Sequence, residues 1–234
     1  MPTEHLTVPA AGPATAALHR RVVAELVGTA LLVTAVVGSG IAASRLSPDD
    51  VGLQLLENSL ATGAALVALI LALQPVSASF NPVVTLVERV LGLVRTVDAA
   101  LLIAAQLVGG VLGAVLANLM YDLDAVSTAT TERSGSHLLL SEVVATAGLV
   151  VIVFGALRSQ RTHVVAFAVG GYITAAYWFT SSTSFANPAV TVARTLSDTF
   201  TGIAPESAPW FVLMQLLGGA LAALLVRYLY EEAS

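Results

Sequence analysis

The sequence has no cysteine, no lysine and little charge of either sign. Without cysteine there is no disulfide, no thiolate metal ligand and no thiol nucleophile. The ten basic residues are all arginine and are scattered, against fifteen acidic ones and a net charge of −5. That pattern argues against a nucleic-acid surface. The lack of lysine carries no mechanistic weight. Charged residues make up 11% of the 234, where soluble domains carry about 25%. A soluble chain of this length has enough residues to bury a core but needs more charge to cover it. The four histidines, His5, His19, His137 and His163, all fall in tails or loops with no metal-ligand spacing on one face. No metal site and no cofactor is expected, and His163 reads as a solvated loop residue. No Ser/His/Asp or Glu/His arrangement points to hydrolysis, so no enzyme is expected.

What is present is apolar length. Hydrophobic residues reach 56% and the mean hydropathy is +0.85. A span needs about 20 apolar residues at about 1.5 Å rise each. Six stretches qualify: 21–43, 52–74, 98–121, 138–157, 163–180 and 209–230. Residues 1–18, rich in Pro, Ala and Thr, are too polar and broken for a signal peptide and read as a disordered tail. Arg20, Arg21, Arg89, Arg95, Arg158, Arg161 and Arg227 fall on one side of a six-span layout. Arg45, Arg133 and Arg194 fall on the other. The positive-inside rule then predicts both termini cytoplasmic, in a cell inner (plasma) membrane.

The chain also repeats itself. "SFNPVVTLVER" at residues 79–89 is answered by "SFANPAVTVAR" at 184–194. Residues 20–121 laid over 137–230 align Glu25 with Glu142 and Gln106 with Gln215, the latter pair each followed by Gly-Gly. Three spans per repeat is odd, so the second half must insert upside down. The expected fold is an all-α membrane protein with six spans and two re-entrant half-helices in an inverted 3+3 repeat. The first repeat covers 19–121 with its half-helix at 82–92. An extracellular loop covers 122–136, and the second repeat covers 137–234 with its half-helix at 188–197.

The Asn-Pro boxes have a physical meaning in this layout. Proline is tolerated at the first helical position and asparagine before it is a good N-cap. Each box starts a helix abruptly, too short to span. Inversion brings both helix N-termini to the bilayer centre, each carrying about half a positive charge. Irregular backbone before each box is allowed in a membrane only where it is buried or lines a cavity. A polar path through the middle follows.

These residues resemble the aquaporin and aquaglyceroporin family, the major intrinsic proteins, over nearly the whole chain from about residue 20. The paired boxes read Asn81-Pro82-Val83 and Asn187-Pro188-Ala189. Valine in the first box departs mildly from the family's alanine. The resemblance implies that Glu25 and Glu142 accept hydrogen bonds from the re-entrant loops. A carboxylate inside a membrane is costly unless it is paired, so bracing something polar fits it. The resemblance further implies a homotetramer with a pore in each subunit. Asn81 and Asn187 would offer N–H groups to a passing solute, interrupting any proton relay, and the dipole ends would oppose cations.

In most members an arginine stands three residues after the second-box asparagine, whereas this chain has Val190 there. In this the chain resembles a bacterial branch of the family with an atypical filter lacking that arginine. Arg194, four residues on, lies on the same helical face and either reaches back to the filter or pairs with Asp198. The remaining filter positions fall on Ala61 or Thr62, on Ala175 or Tyr177, and on Ser184. Phe80 and Phe185 read as packing the loops. The predicted function is a passive channel for small uncharged solutes: glycerol-like polyols, neutral metalloid hydroxides such as arsenous acid, and water. A strict water channel is the alternative if Tyr177 and Arg194 close the filter. An ion channel or proton-coupled carrier is the alternative of another class. Against it, both box asparagines are present and the only mid-span ionisable groups are the duplicated Glu25 and Glu142.

Overall fold

The computed structural model describes residues 16–158 and 164–230. Most of the expected tail lies outside them, as do His5, Arg161 and His163. The elements are α1 (Leu18–Leu46), α2 (Val51–Leu73), α3 (Pro82–Val90), α4 (Thr96–Met120), α5 (Ser136–Arg158), α6 (Val165–Phe179), α7 (Pro188–Ala193) and α8 (Ala208–Tyr230). Among the described residues, five helices are long and apolar enough to cross a membrane: α1, α2, α4, α5 and α8. The sixth expected span is shorter than 163–180, since α6 has 15 residues. That is about 22 Å of helix. It stops at Thr180 because the chain turns there to begin its descent toward α7.

The two half-helices start as the boxes dictate. Asn81 and Asn187 are extended N-caps whose side chains accept from Val83 N and from Ala189 N and Val190 N, with proline first in each helix. Both helices end earlier than expected. α3 stops at Val90, followed by Gly92 at φ +78°, a left-handed stop that favours glycine. α7 stops at Ala193 and tightens into a 3-10 turn over Arg194–Leu196. The carbonyls of Arg194, Thr195 and Leu196 accept from Ile203, Ala129 and Ser127, so no α-helical ladder continues beyond that turn.

Long-range packing follows the repeat. α1 packs along α4, α5 along α8, and α2 crosses α6. Close approach at these crossings rests on glycine. A Cβ on Gly218 of α8 would stand 2.6 Å from the Val143 carbonyl oxygen of α5, and one on Gly170 would stand 2.7 Å from the Gly63 carbonyl oxygen. Such backbone-to-backbone contacts draw two helices together where no hydrophobic force between them exists in lipid. Each Gly-Gly pair also seats the other repeat's half-helix. Gly110 faces Ala189 of α7, and Gly219 faces Val83 of α3. The valine of the first box therefore fits because its neighbour is a glycine.

Gly218→Val should lower the unfolding midpoint in detergent, by an overpacking cost of about 1–3 kcal/mol. Gly171→Ala, whose Cβ would meet nothing within 4 Å, should leave that midpoint in place.

Candidate functional site: a pore between two half-helices

In lipid, a backbone N–H without a partner costs several kcal/mol, so the loops before the boxes need acceptors. Two fully buried carboxylates supply them. Glu25 accepts from Ser77 Oγ, from Ser79 N at 2.9 Å, from Phe80 N at 2.7 Å and from Gln106 Nε2 at 2.8 Å. Glu142 accepts from Ser182 Oγ at 2.6 Å, from Phe185 N at 3.0 Å, from Ala186 N at 2.9 Å and from Gln215 Nε2 at 2.6 Å. Each glutamine also donates to a half-helix threonine, Gln106 to Thr85 and Gln215 to Thr191. The two clusters repeat each other almost atom for atom.

The boxes themselves are crossed. Asn81 Nδ2 donates to the Ala186 carbonyl at 2.8 Å, and Asn187 Nδ2 donates to the Phe80 carbonyl at 2.7 Å. Phe80 and Ala186 both adopt positive φ, +47° and +49°. Neither is glycine, so each carries strain of about 1–3 kcal/mol, and the network over-determines both positions. That conformation lets one residue aim its N–H at a carboxylate and its C=O at the opposite asparagine. Each asparagine spends one amide hydrogen this way. Both asparagines line a cavity of about 380 Å³.

The cavity has two unlike walls. One is apolar, with Leu32 and Val36 of α1, Leu66 and Ile70 of α2, Leu149 and Val153 of α5, and Val169 and Ile173 of α6. The other carries the irregular backbone of residues 74–80 and the two asparagines. The cavity opens at the end of the molecule where α1 begins and α8 ends, the N/C end, past Arg21, Leu93 and Leu157. At the opposite, loop end its lining finishes at Thr62, Tyr177, Ser184, Phe185, Val190 and Arg194.

Of the residues expected at the filter, the lining holds Thr62, Tyr177, Ser184, Val190 and Arg194. Thr62 and Tyr177 share a 3.2 Å hydrogen bond between α2 and α6. Ala61 and Ala175 are not part of the lining, and Ala175 is exposed. Helical phase explains it: a residue two positions from Tyr177 points about 200° away. Arg194 does not pair with Asp198, which accepts instead from Thr130 N and Thr130 Oγ1. Its Nε donates to the Thr201 carbonyl, and its guanidinium lies 3.4 Å from the Phe185 ring centroid. Phe185 packs edge-on against Phe211, so it braces the loop and also offers Arg194 a ring face. Ser184 Oγ is buried with no protein partner.

Two residues of this region went unmarked in the sequence. Arg133 backs the other arginine: its Nε donates to the Gly202 carbonyl and its guanidinium lies 5.1 Å from the same Phe185 ring. Glu88 lines the cavity toward the N/C end. A signal for Glu88 was available, since it stands seven residues past Asn81, as Arg194 stands seven past Asn187. Arg89, its neighbour, points away and donates to Thr96.

The family profile described as "Major intrinsic protein" matches residues 14–177 and 158–234. The chain belongs to the major intrinsic protein family. Among its relatives is Aquaglyceroporin AqpS of Rhizobium meliloti (strain 1021), 49% identical over 217 residues that cover 92% of each chain. Aquaporin-5 of Ovis aries is 29% identical over 92% of this chain and 82% of its own. The solved aquaglyceroporin of Plasmodium falciparum superposes with a TM-score of 0.68 over 93% of this chain and 97% of its own, at 17% identity, which shows a shared fold. As a member of the major intrinsic protein family, the chain is a multi-pass membrane channel for small neutral solutes and not an enzyme.

Glu142→Ala should leave the Phe185 and Ala186 amides without an acceptor, at a cost of about 3 kcal/mol. The expected result is a lower unfolding midpoint in detergent and loss of water flux in proteoliposomes.

Proposed function

We propose that the chain is a passive pore for glycerol-sized polyols, neutral metalloid hydroxides such as arsenous acid, and water, closed to protons and ions. The observation that carries this reading is the crossed pair of asparagine bonds. Each Nδ2 is committed once, to the opposite loop, and has a second hydrogen for a solute oxygen in the cavity. A water that accepts at both asparagines has no free acceptor with which to relay a proton. The N-terminal dipole ends of α3 and α7 add a barrier to cations at the same level.

Selection among neutral solutes is assigned to Thr62, Tyr177, Ser184, Val190 and Arg194. Thr62, Tyr177 and Ser184 offer hydroxyls, Val190 leaves room where the family resemblance implies an arginine, and Arg194 offers its remaining guanidinium N–H groups. A ring that mixes hydroxyls, a cation and an apolar side chain suits a molecule with hydroxyls on one edge and an apolar back. The relative named as an aquaglyceroporin supports the same reading. Arginine bias supports a cytoplasmic N/C end in the inner (plasma) membrane, and the family resemblance supports a homotetramer with one pore per subunit.

A strict water channel is the second reading, favoured by the Thr62–Tyr177 hydrogen bond across the ring. Stopped-flow light scattering on proteoliposomes separates the two. The polyol and metalloid reading expects water, glycerol and arsenous acid fluxes all above lipid controls. Water flux alone supports the second reading, and no flux of any of them removes both. Val190→Arg should reduce glycerol flux by on the order of tenfold, more than water flux, because a second guanidinium narrows the ring. Equal fluxes of both solutes before and after that substitution would mean that the pore does not pass residue 190.

A further inference from the structure

Glu88 takes no part in the two glutamate clusters or in the ring at the loop end. It occupies in α3 the position that Arg194 occupies after α7, seven residues past the box asparagine in each repeat. The two half-helices run outward from the centre in opposite directions. The inverted repeat therefore places a carboxylate on the N/C side of the asparagine pair and a guanidinium on the loop side. Both line the same cavity.

The carboxylate is anchored and still available. Glu88 Oε1 accepts from Ser79 Oγ at 2.9 Å. Arg21 of α1 lines the same mouth but does not pair with it. Among the described residues the only ion pair within 4.0 Å is Arg95–Asp98. Glu25 and Glu142 sit behind the loops, outside the lining, with their oxygens taken by loop donors. Among the described lining residues Glu88 is the only acidic side chain, against Arg21 and Arg194.

That imbalance has an electrostatic consequence. Loop carbonyls aside, the side chains and helix ends at the centre of the pore present donors or positive ends: two asparagine amides and two helix N-termini, with Arg194 beyond them. This set opposes cations and attracts anions. The apolar wall of leucines, valines and isoleucines lowers the local dielectric and strengthens both effects. A small anion entering from the N/C end meets one opposing charge, that of Glu88.

We propose that Glu88 is the anion barrier of this pore, a specificity-determining residue that turns back nitrate- or formate-sized monovalent anions. Neutral hydroxyl solutes pass it and can donate to its free oxygen. This inference rests on the pore reading above. Two like charges about 8 Å apart at an effective dielectric of about 20 change an equilibrium on the order of thirtyfold, and screening by mouth water brings this toward tenfold.

The test is the ratio of nitrate flux to water flux in one proteoliposome preparation at pH 8, with valinomycin and potassium carrying the countercharge. Glu88→Gln keeps an acceptor for Ser79 and removes only the charge. The ratio should rise on the order of tenfold in E88Q and stay low in Glu88→Asp. An unchanged ratio in an E88Q channel that conducts water overturns the anion barrier and leaves the pore reading standing. A wild-type channel that already passes nitrate freely overturns it too. If wild-type vesicles pass neither water nor glycerol above lipid controls, the pore reading itself fails. Should E88Q fail to conduct water, Glu88→Ser carries the same comparison, and an unchanged ratio there overturns the proposal.

Discussion

A backbone amide in the middle of a bilayer has no water to turn to, and two buried glutamates answer that constraint here. Glu25 and Glu142 each collect two loop amides, a serine hydroxyl and a glutamine amide. Without these acceptors the chain before each box would have to form helix or leave the membrane. With them it stays irregular, and irregular backbone is what gives the cavity its polar wall. The glutamines connect the same carboxylates to threonines of the half-helices. Loop, half-helix and spanning helices are thus one hydrogen-bonded unit in each repeat.

The scaffold is symmetric, and the pore it encloses is not. Cross-bracing of Asn81 and Asn187 treats the two repeats alike, as do the paired glycines and the carboxylate clusters. Equivalent positions along the pore then diverge. Thr62 and Tyr177 meet at the loop end, while Ile70 and Val169 line the cavity toward the N/C end. Arg194 stands where the other repeat has Glu88. Backbone geometry at the centre tolerates little change, because the strained residues Phe80 and Ala186 each serve a carboxylate and an asparagine at once. Side chains farther out meet no such double demand, and there the two repeats differ.

The spans, the half-helix starts and the pairing of the repeats were legible in the sequence, since apolar length, Asn-Pro chemistry and self-similarity are local properties. Half-helix ends were not. Beyond its 3-10 turn α7 runs no further, because the carbonyls of Arg194, Thr195 and Leu196 are taken by Ile203, Ala129 and Ser127 from outside the helix. The lining residue on α6 could not be counted back from Asn187 alone. Loop length shifts the register, and only Tyr177 of the two candidates points inward.

By itself the sequence determined that this chain crosses a membrane, that its halves oppose each other, and that two capped helix ends meet at the centre. Each of these follows from composition, periodicity and the chemistry of a dipeptide. The tertiary structure decided which side chains face the solute. Whether Arg194 turns to Asp198 or to Thr201 and Phe185 depends on where the loop after α7 folds back. Facing is a property of helix phase and of neighbours brought in from the other repeat, and no local rule contains either.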